Sequence, residues 1–160
     1  MRPEAAIMTT MLRRATPEDA ERLAWLRATS FGARTAMVDL EAPMVDVLRE
    51  HLRAGDFGAF LIENGSVPVS YGIAMIHQRL PSDWNPSGRW GYVQSLETHP
   101  DHRGRGHATA ILAALLDWYA QEGVPSVGLL SAELAEPLYR RLGFNEEPIG
   151  RWLVRRADHA

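Results

Sequence analysis

Residues 98–109 read Thr-His-Pro-Asp-His-Arg-Gly-Arg-Gly-His-Ala-Thr, which brings His99, His102 and His107, Arg103 and Arg105, and Gly104 and Gly106 into one short stretch. Three chemistries use such residues: metal ligation by imidazoles, anion binding by arginines and backbone amides, and nucleotide or nucleic-acid recognition. Metal ligation fits poorly, because this histidine spacing shares no face of one element and Asp101 is the only nearby carboxylate. A dinucleotide fingerprint is incomplete, since the stretch from Gly104 has the first two glycines of G-x-G-x-x-G and lacks the third. An anion site fits better. Pro100 forces the chain out of a strand, and the two glycines allow backbone conformations and close approach that a Cβ would block. A helix pattern follows at once, so unpaired N–H groups and the positive end of its dipole point into the bend. Together with two arginines this predicts a phosphate-binding corner, against the blander reading of a tight turn with solvated arginines.

The flanking elements must position that corner. A short strand is expected to end at Arg14. Thr16 then caps a helix with Pro17 first, Glu18 and Asp19 in its first turn, and Ala20, Leu23 and Leu26 buried. A second helix is predicted from Pro43 to Gly55, with Leu40, Met44, Val47, Leu48, His51 and Leu52 at helical spacing. Residues 57–78 read as two strands about Asn64-Gly65, with Pro68 implying a slightly longer turn. Residues 80–89 have loop composition, and 90–98 read as a third strand. After the bend, Ala108, Ile111, Leu112, Leu115, Leu116 and Tyr119 form one helical face that Gly123 ends. A short buried strand over 126–132, a short helix before Gly143 and a last strand over 150–156 complete the pattern. Helices, an antiparallel meander and a β-α-β crossover predict one mixed α/β layer architecture.

Composition narrows the function. The chain has 160 residues, 46% hydrophobic and 23% charged, enough for one domain with a substantial core. Its net charge of −3 argues against general nucleic-acid binding. No apolar run approaches the ~18 residues of a membrane span. The first residues lack the apolar stretch of a signal peptide, which predicts a cytoplasmic protein with a flexible tail over residues 1–10 and a single domain over 11–160. The absence of cysteine excludes a disulfide framework, a cysteine–zinc site and a thiolate nucleophile. The absence of lysine excludes a P-loop and Schiff-base chemistry.

Residues 103–108, R-G-R-G-H-A, fit the Q/R-x-x-G-x-G/A signature of the GNAT N-acetyltransferase superfamily. Residues 136–144, E-P-L-Y-R-R-L-G-F, resemble that family's short helix, and the element order over about 11–156 is similar as well. The resemblance implies a mostly antiparallel sheet with one splayed parallel strand pair and helices on both faces. It implies that acetyl-CoA is the cosubstrate, with no metal, and that backbone amides of Arg103, Gly104, Arg105, Gly106, His107 and Ala108 bind its pyrophosphate beside the Thr109 hydroxyl. By the same likeness Leu96, Glu97 and Thr98 face the pantetheine arm. Ser131 and Ala132 end the neighbouring strand, and Pro137, Leu138 and Arg141 flank the ligand. Tyr139 matches the tyrosine that assists the departing thiolate.

The base is left open by the likeness. Members often carry it at positions matching Tyr92 or Gln94, and neither side chain is a natural base. Glu97 is the nearby carboxylate, but simple strand alternation sets it opposite Tyr92, Gln94, Leu96 and Thr98 unless a bulge re-aims it. A water chain ending on Glu97 or Glu133 is the alternative. The acceptor, a small-molecule or peptide amine, is expected between the first two helices and the 80–90 loop. Phe31, Met37, Trp84 and Trp90 offer apolar walls there, and Asp39, Glu41, Asp46 and Asp83 offer negative charge. A catalytically silent acyl-CoA sensor is the rival reading, and the likeness also admits a homodimer.

Overall fold

The turn at Asn64 and Gly65 organises the first half of the sheet. In the computed structural model, which describes residues 9–33 and 37–146, strands β2 (Phe57–Asn64) and β3 (Val67–Gln78) pair antiparallel across it. Asn64 pairs with Val67, so the turn itself is the tight one. Pro68 acts otherwise than expected: the register skips Val69 between the Ile62–Ser70 and Glu63–Pro68 pairs, so a bulge absorbs the irregularity. Strand β1 (Thr10–Arg14) lies outside β2, and β4 (Arg89–Thr98) lies on the other side of β3, both antiparallel. Strand β5 (Ser126–Leu129) joins β4 in parallel, giving the order β1-β2-β3-β4-β5. The fold is a mixed α/β sheet with one parallel pair.

Helix α1 (Ala20–Thr29) follows a 3-10 turn at Pro17–Asp19, where the Asp19 carboxylate accepts the Thr16 N–H at 2.9 Å. Helix α2 (Glu41–Ala54) starts two residues before the expected Pro43, since proline is tolerated in a first helical turn, and it ends at left-handed Gly55. Ala20, Leu23, Ala24, Leu26 and Leu48 of these helices pack with Ala59, Leu61, Tyr71 and Ile73 on one sheet face. Leu23 and Leu26 are fully buried, each contributing about 1.5–3 kcal/mol relative to exposure.

Helix α3 (His107–Gln121) covers the opposite face. Strand residues without a Cβ let it approach closely. A Cβ at Gly58 would lie 2.6 Å from the Trp118 ring, and one at Gly72 would lie 2.5 Å from Ile111 Cγ2. The buried face holds Ile111, Leu112, Leu115, Trp118 and Tyr119; Ala108 and Leu116, expected with them, are half-buried.

The remaining sequence expectations fare unevenly. β5 is half-buried and stops at Leu129, because only one edge of it pairs with β4, so Ser131 and Ala132 lie past its end. The last strand expected over 150–156 and most of the 1–10 tail lie outside the described residues, while Thr10 already belongs to β1.

The chain divides into two compact units, Met1–Leu130 and Ser131–Ala160. The second unit contains a 3-10 turn at Glu133–Ala135 and helix α4 (Glu136–Arg141), followed by left-handed Gly143. Arg13 ties the sheet edge to the start of α1, with Nε 2.8 Å from Glu63 Oε2 and Nη2 2.8 Å from Asp19 Oδ1. Among the described residues no helix is long and apolar enough to cross a membrane.

Candidate active site

The corner after β4 is built from backbone. The His99 N–H donates to Val69 O at 2.8 Å, and Pro100–His102 then form a 3-10 turn. Gly104 and Gly106 follow at φ +70° and +79°, in the left-handed region. A Cβ at either would meet nothing within 4 Å, so the backbone conformation favours glycine here and the space before the bend is open. Gly106 caps α3, and its carbonyl accepts the Ala110 N–H at 3.0 Å. No side chain caps this end, and its first turn carries no acidic residue. The first N–H groups of α3 therefore face outward without an intrahelical acceptor, as the anion reading requires.

The arginines brace this bend. Arg103 Nε donates to Thr98 O at 3.3 Å, and Arg105 Nη2 donates to Asp101 O at 3.2 Å, both at the exposed surface. The three histidines adjoin one another, with ring centroids 5.7 Å apart for His99–His102 and 6.4 Å for His102–His107. Burial holds the His107 imidazole below its ordinary pKa, and His102 and Arg105 add to that effect. Among the described residues no group of three histidines or carboxylates is placed to hold a metal ion.

Next to the corner, the sheet opens. The β4–β5 pairing runs from Trp90–Ser126 to Val93–Leu129 and stops, while β4 continues to Thr98 against β3. From Gln94 onward β4, including Leu96, Glu97 and Thr98, has no parallel strand beside it among the described residues. Unpaired strand edges seek extended partners.

A bulge decides which side chains face which way. β3 and β4 pair as Tyr71–Glu97, Gly72–Leu96 and Ile73–Ser95, then as Ala74–Val93, leaving Gln94 as the extra residue. Leu96 consequently turns with Gly72 toward α3, and Thr98 meets Ser70, their hydroxyls 2.8 Å apart. Glu97 turns the other way. Tyr71 donates to Glu97 Oε1 at 3.0 Å and the Ser30 hydroxyl donates to Oε2. Gln94 borders a cavity on that same α1–α2 face, so simple alternation is broken and the inward set is Tyr92, Gln94, Ser95 and Glu97. Nothing in the composition of β4 signals this; the extra residue arises from pairing with β3.

Ser30 reaches Glu97 from a strained segment. Ser30 and Phe31 have φ of +50° and +59°, and left-handed backbone costs a non-glycine residue about 1–2 kcal/mol. Phe31 packs on Tyr71 and His99, with centroids 5.8 and 5.5 Å away.

The cavity on this face measures about 360 Å³. Leu40, Pro43, Met44, Val47 and Leu48 from the α2 region and Phe57, Ile73 and Met75 from the sheet line it, with Arg27 and Gln94 as its polar members. The aromatic walls expected from the 80–90 loop are elsewhere: Trp84 and Trp90 pack edge to face at 5.8 Å, and Arg79 lies 4.6 Å over Trp90. Asp39, Glu41 and Asp46 line a separate depression with Glu21, where Arg49 lies 3.2 Å from the Glu21 carboxylate. Leu40 and Val47, the exposed part of the helical stripe read from the sequence, were the available signal for the cavity.

Leu96, Glu97, Thr98 and residues 103–109 thus lie on one continuous run of the first unit. Ser131, Ala132, Pro137, Leu138, Tyr139 and Arg141 belong to the second. There, the Tyr139 ring meets Phe144 edge to face at 5.9 Å, and burial raises the pKa of its hydroxyl.

The family model of the acetyltransferase (GNAT) family matches residues 20–144. The chain belongs to that family. This GNAT protein is similar in fold to a predicted acetyltransferase with acetyl-CoA from Clostridium acetobutylicum, at 20% identity and TM-score 0.82, covering 91% of this chain and 96% of that one. It is also similar to the aminoglycoside N-acetyltransferase AAC(6')-Iy in complex with the bisubstrate analogue CoA-S-monomethyl-acetylneamine, at 17% identity and TM-score 0.73, covering 93% and 99%. A third similar structure is glucosamine-6-phosphate N-acetyltransferase from Arabidopsis thaliana, at 17% identity and TM-score 0.71, covering 91% and 98%. No curated protein matches the GNAT chain by sequence.

Proposed function

We propose that the protein transfers an acetyl group from acetyl-CoA to a primary amine by direct attack within a ternary complex. The observation that carries this is the glycine-capped amino end of α3, free of any capping side chain, shortly after the part of β4 that β5 does not accompany. An anionic, extended ligand suits that pair of features: its diphosphate meets N–H groups and its amide-bearing arm meets a strand edge. The structure from Clostridium acetobutylicum, similar in fold, contains acetyl-CoA.

When bound, acetyl-CoA supplies a thioester with a carbonyl carbon open to attack and a thiol able to leave. The backbone amides from Arg103 to Ala108, with Thr109, hold its diphosphate, and Leu96, Glu97 and Thr98 align its arm. By the family likeness, Ser131, Ala132, Pro137, Leu138 and Arg141 are assigned to the same ligand. An amine acceptor is mostly protonated at neutral pH and must lose a proton before attack. Glu97 takes that proton, directly or through water, oriented by Tyr71 and Ser30. Tyr139 stays protonated because burial raises its pKa, so it donates a hydrogen bond that strengthens as the departing sulfur gains charge. With no cysteine in the chain, no cysteinyl acyl-enzyme forms, and the rate comes from positioning and electrostatics.

Thiol release from acetyl-CoA across a panel of primary amines, alongside calorimetric titration of acetyl-CoA, tests this. Turnover with at least one amine is expected. Absence of acetyl-CoA binding would remove the proposal.

A further inference from the structure

We infer that the acceptor is an amine bearing a bulky apolar substituent and a carboxylate, of the hydrophobic α-amino-acid class, with its substituent in the cavity beside Gln94 and its carboxylate on Arg27. The inference rests on the acetyl-transfer reading and deepens it.

Size and chemistry of the cavity come first. Its volume of about 360 Å³ lies at the small end for ligand sites, enough for one branched or ring-bearing side chain. Among the described residues, eight of its ten lining residues are apolar, and they come from both the α2 region and the sheet. A polyhydroxylated or polycationic acceptor would leave its polar groups unpaired against that wall, a large desolvation cost. Leu40 and Val47 remain 52% and 47% exposed, so an apolar occupant would remove further apolar surface from water.

Charge then selects the other end of the acceptor. Among the described residues, Arg27 is the only charged side chain lining the cavity. Its Nη1 donates to Ser95 Oγ, which orients the planar guanidinium from the bulged segment of β4. A guanidinium repels a polycation and matches a carboxylate fork to fork. The amino group falls on the remaining side, toward Gln94 and Glu97, which share this face because of the bulge. An α-amino acid carries its ammonium, carboxylate and side chain on one carbon, which suits a cavity that holds Arg27 and Gln94 on the same sheet face as Glu97.

The test measures binding and transfer separately. L-phenylalanine, L-leucine, phenethylamine, glycine and kanamycin are titrated calorimetrically into the CoA-saturated protein, and thiol release from acetyl-CoA is followed with each. The expected result is that phenylalanine or leucine binds and reacts, with phenethylamine and glycine each weaker by roughly tenfold or more. Val47→Asp and Arg27→Gln, with unchanged melting temperatures, are expected to weaken phenylalanine by a similar factor. If phenylalanine binds this way without acetyl transfer, the acceptor inference stands and the transfer reading falls. If kanamycin turns over while neither amino acid binds, the inference is overturned and the transfer reading stands. Equal binding of phenylalanine and phenethylamine would overturn the assignment to Arg27.

Discussion

The hydroxyl of fully buried Tyr71 donates to the Glu97 carboxylate at 3.0 Å, and the two residues are direct antiparallel partners on β3 and β4. A carboxylate fixed by a core tyrosine on one oxygen and by Ser30 on the other is held in one orientation. Glu97→Gln is therefore expected to lower kcat by about 10²-fold or more, the usual range for a lost general base, with little change in acetyl-CoA affinity. Tyr71→Phe removes only the orientation and should cost less, roughly tenfold. Steady-state kinetics with calorimetry separates the two. Unchanged kcat in Glu97→Gln would move the proton to another group.

Binding at the corner is expected to depend on backbone shape. Gly106 sits at φ +79° with open space before it, so Gly106→Val strains the chain by about 1–2 kcal/mol and crowds the approach to the α3 amides. Arg103→Ala removes a positive charge and the brace on Thr98 O. Both variants should bind acetyl-CoA more weakly, by roughly tenfold or more, as measured by calorimetry. Unchanged affinity in both would remove the anion-site argument.

Tyr139→Phe tests the second unit. A hydroxyl engaged only as sulfur gains charge is expected to affect kcat more than the affinity for acetyl-CoA. If kcat is retained, Tyr139 serves packing against Phe144.

Stability toward acid should be governed at the other edge of the sheet. Hydrogen bonds from Arg13 hold the Asp19 and Glu63 carboxyls below their ordinary pKa values. The unfolded chain thus takes up protons first as pH falls. Their contribution is fully present above the ordinary carboxylate range and is lost as pH drops through the lowered values. Arg13→Gln should be less stable than the parent by about 2 kcal/mol at pH 7, with the gap closing toward pH 2. Urea unfolding at both pH values reads it out.

The bend at 98–109 was legible because its proline, glycines and arginines act locally, and the structure gives Gly104 and Gly106 the left-handed backbone anticipated for them. The faces of α1 and the turn at Asn64 were legible for the same reason. The bulge at Gln94 was not, since it exists only in the register between two strands separated by residues 79–88. The cavity was half legible: the apolar stripe of α2 is visible in sequence, but its unfilled part appears only once the sheet limits how much of it can pack. β5 was read too long and too buried because seven residues of strand-like composition do not reveal where a partner strand stops.

Gln94 acts on β4 as a change of parity. Straightening the strand with that residue retained would rotate every downstream side chain by half a turn, presenting Leu96 to the cavity and driving Glu97 against α3. Excising it would instead leave Val93, Ser95, Leu96 and Glu97 in regular alternation opposite Ala74, Ile73, Gly72 and Tyr71. The extra residue thus lets a strand with this residue order keep its carboxylate on the cavity side and its leucine under α3 at the same time.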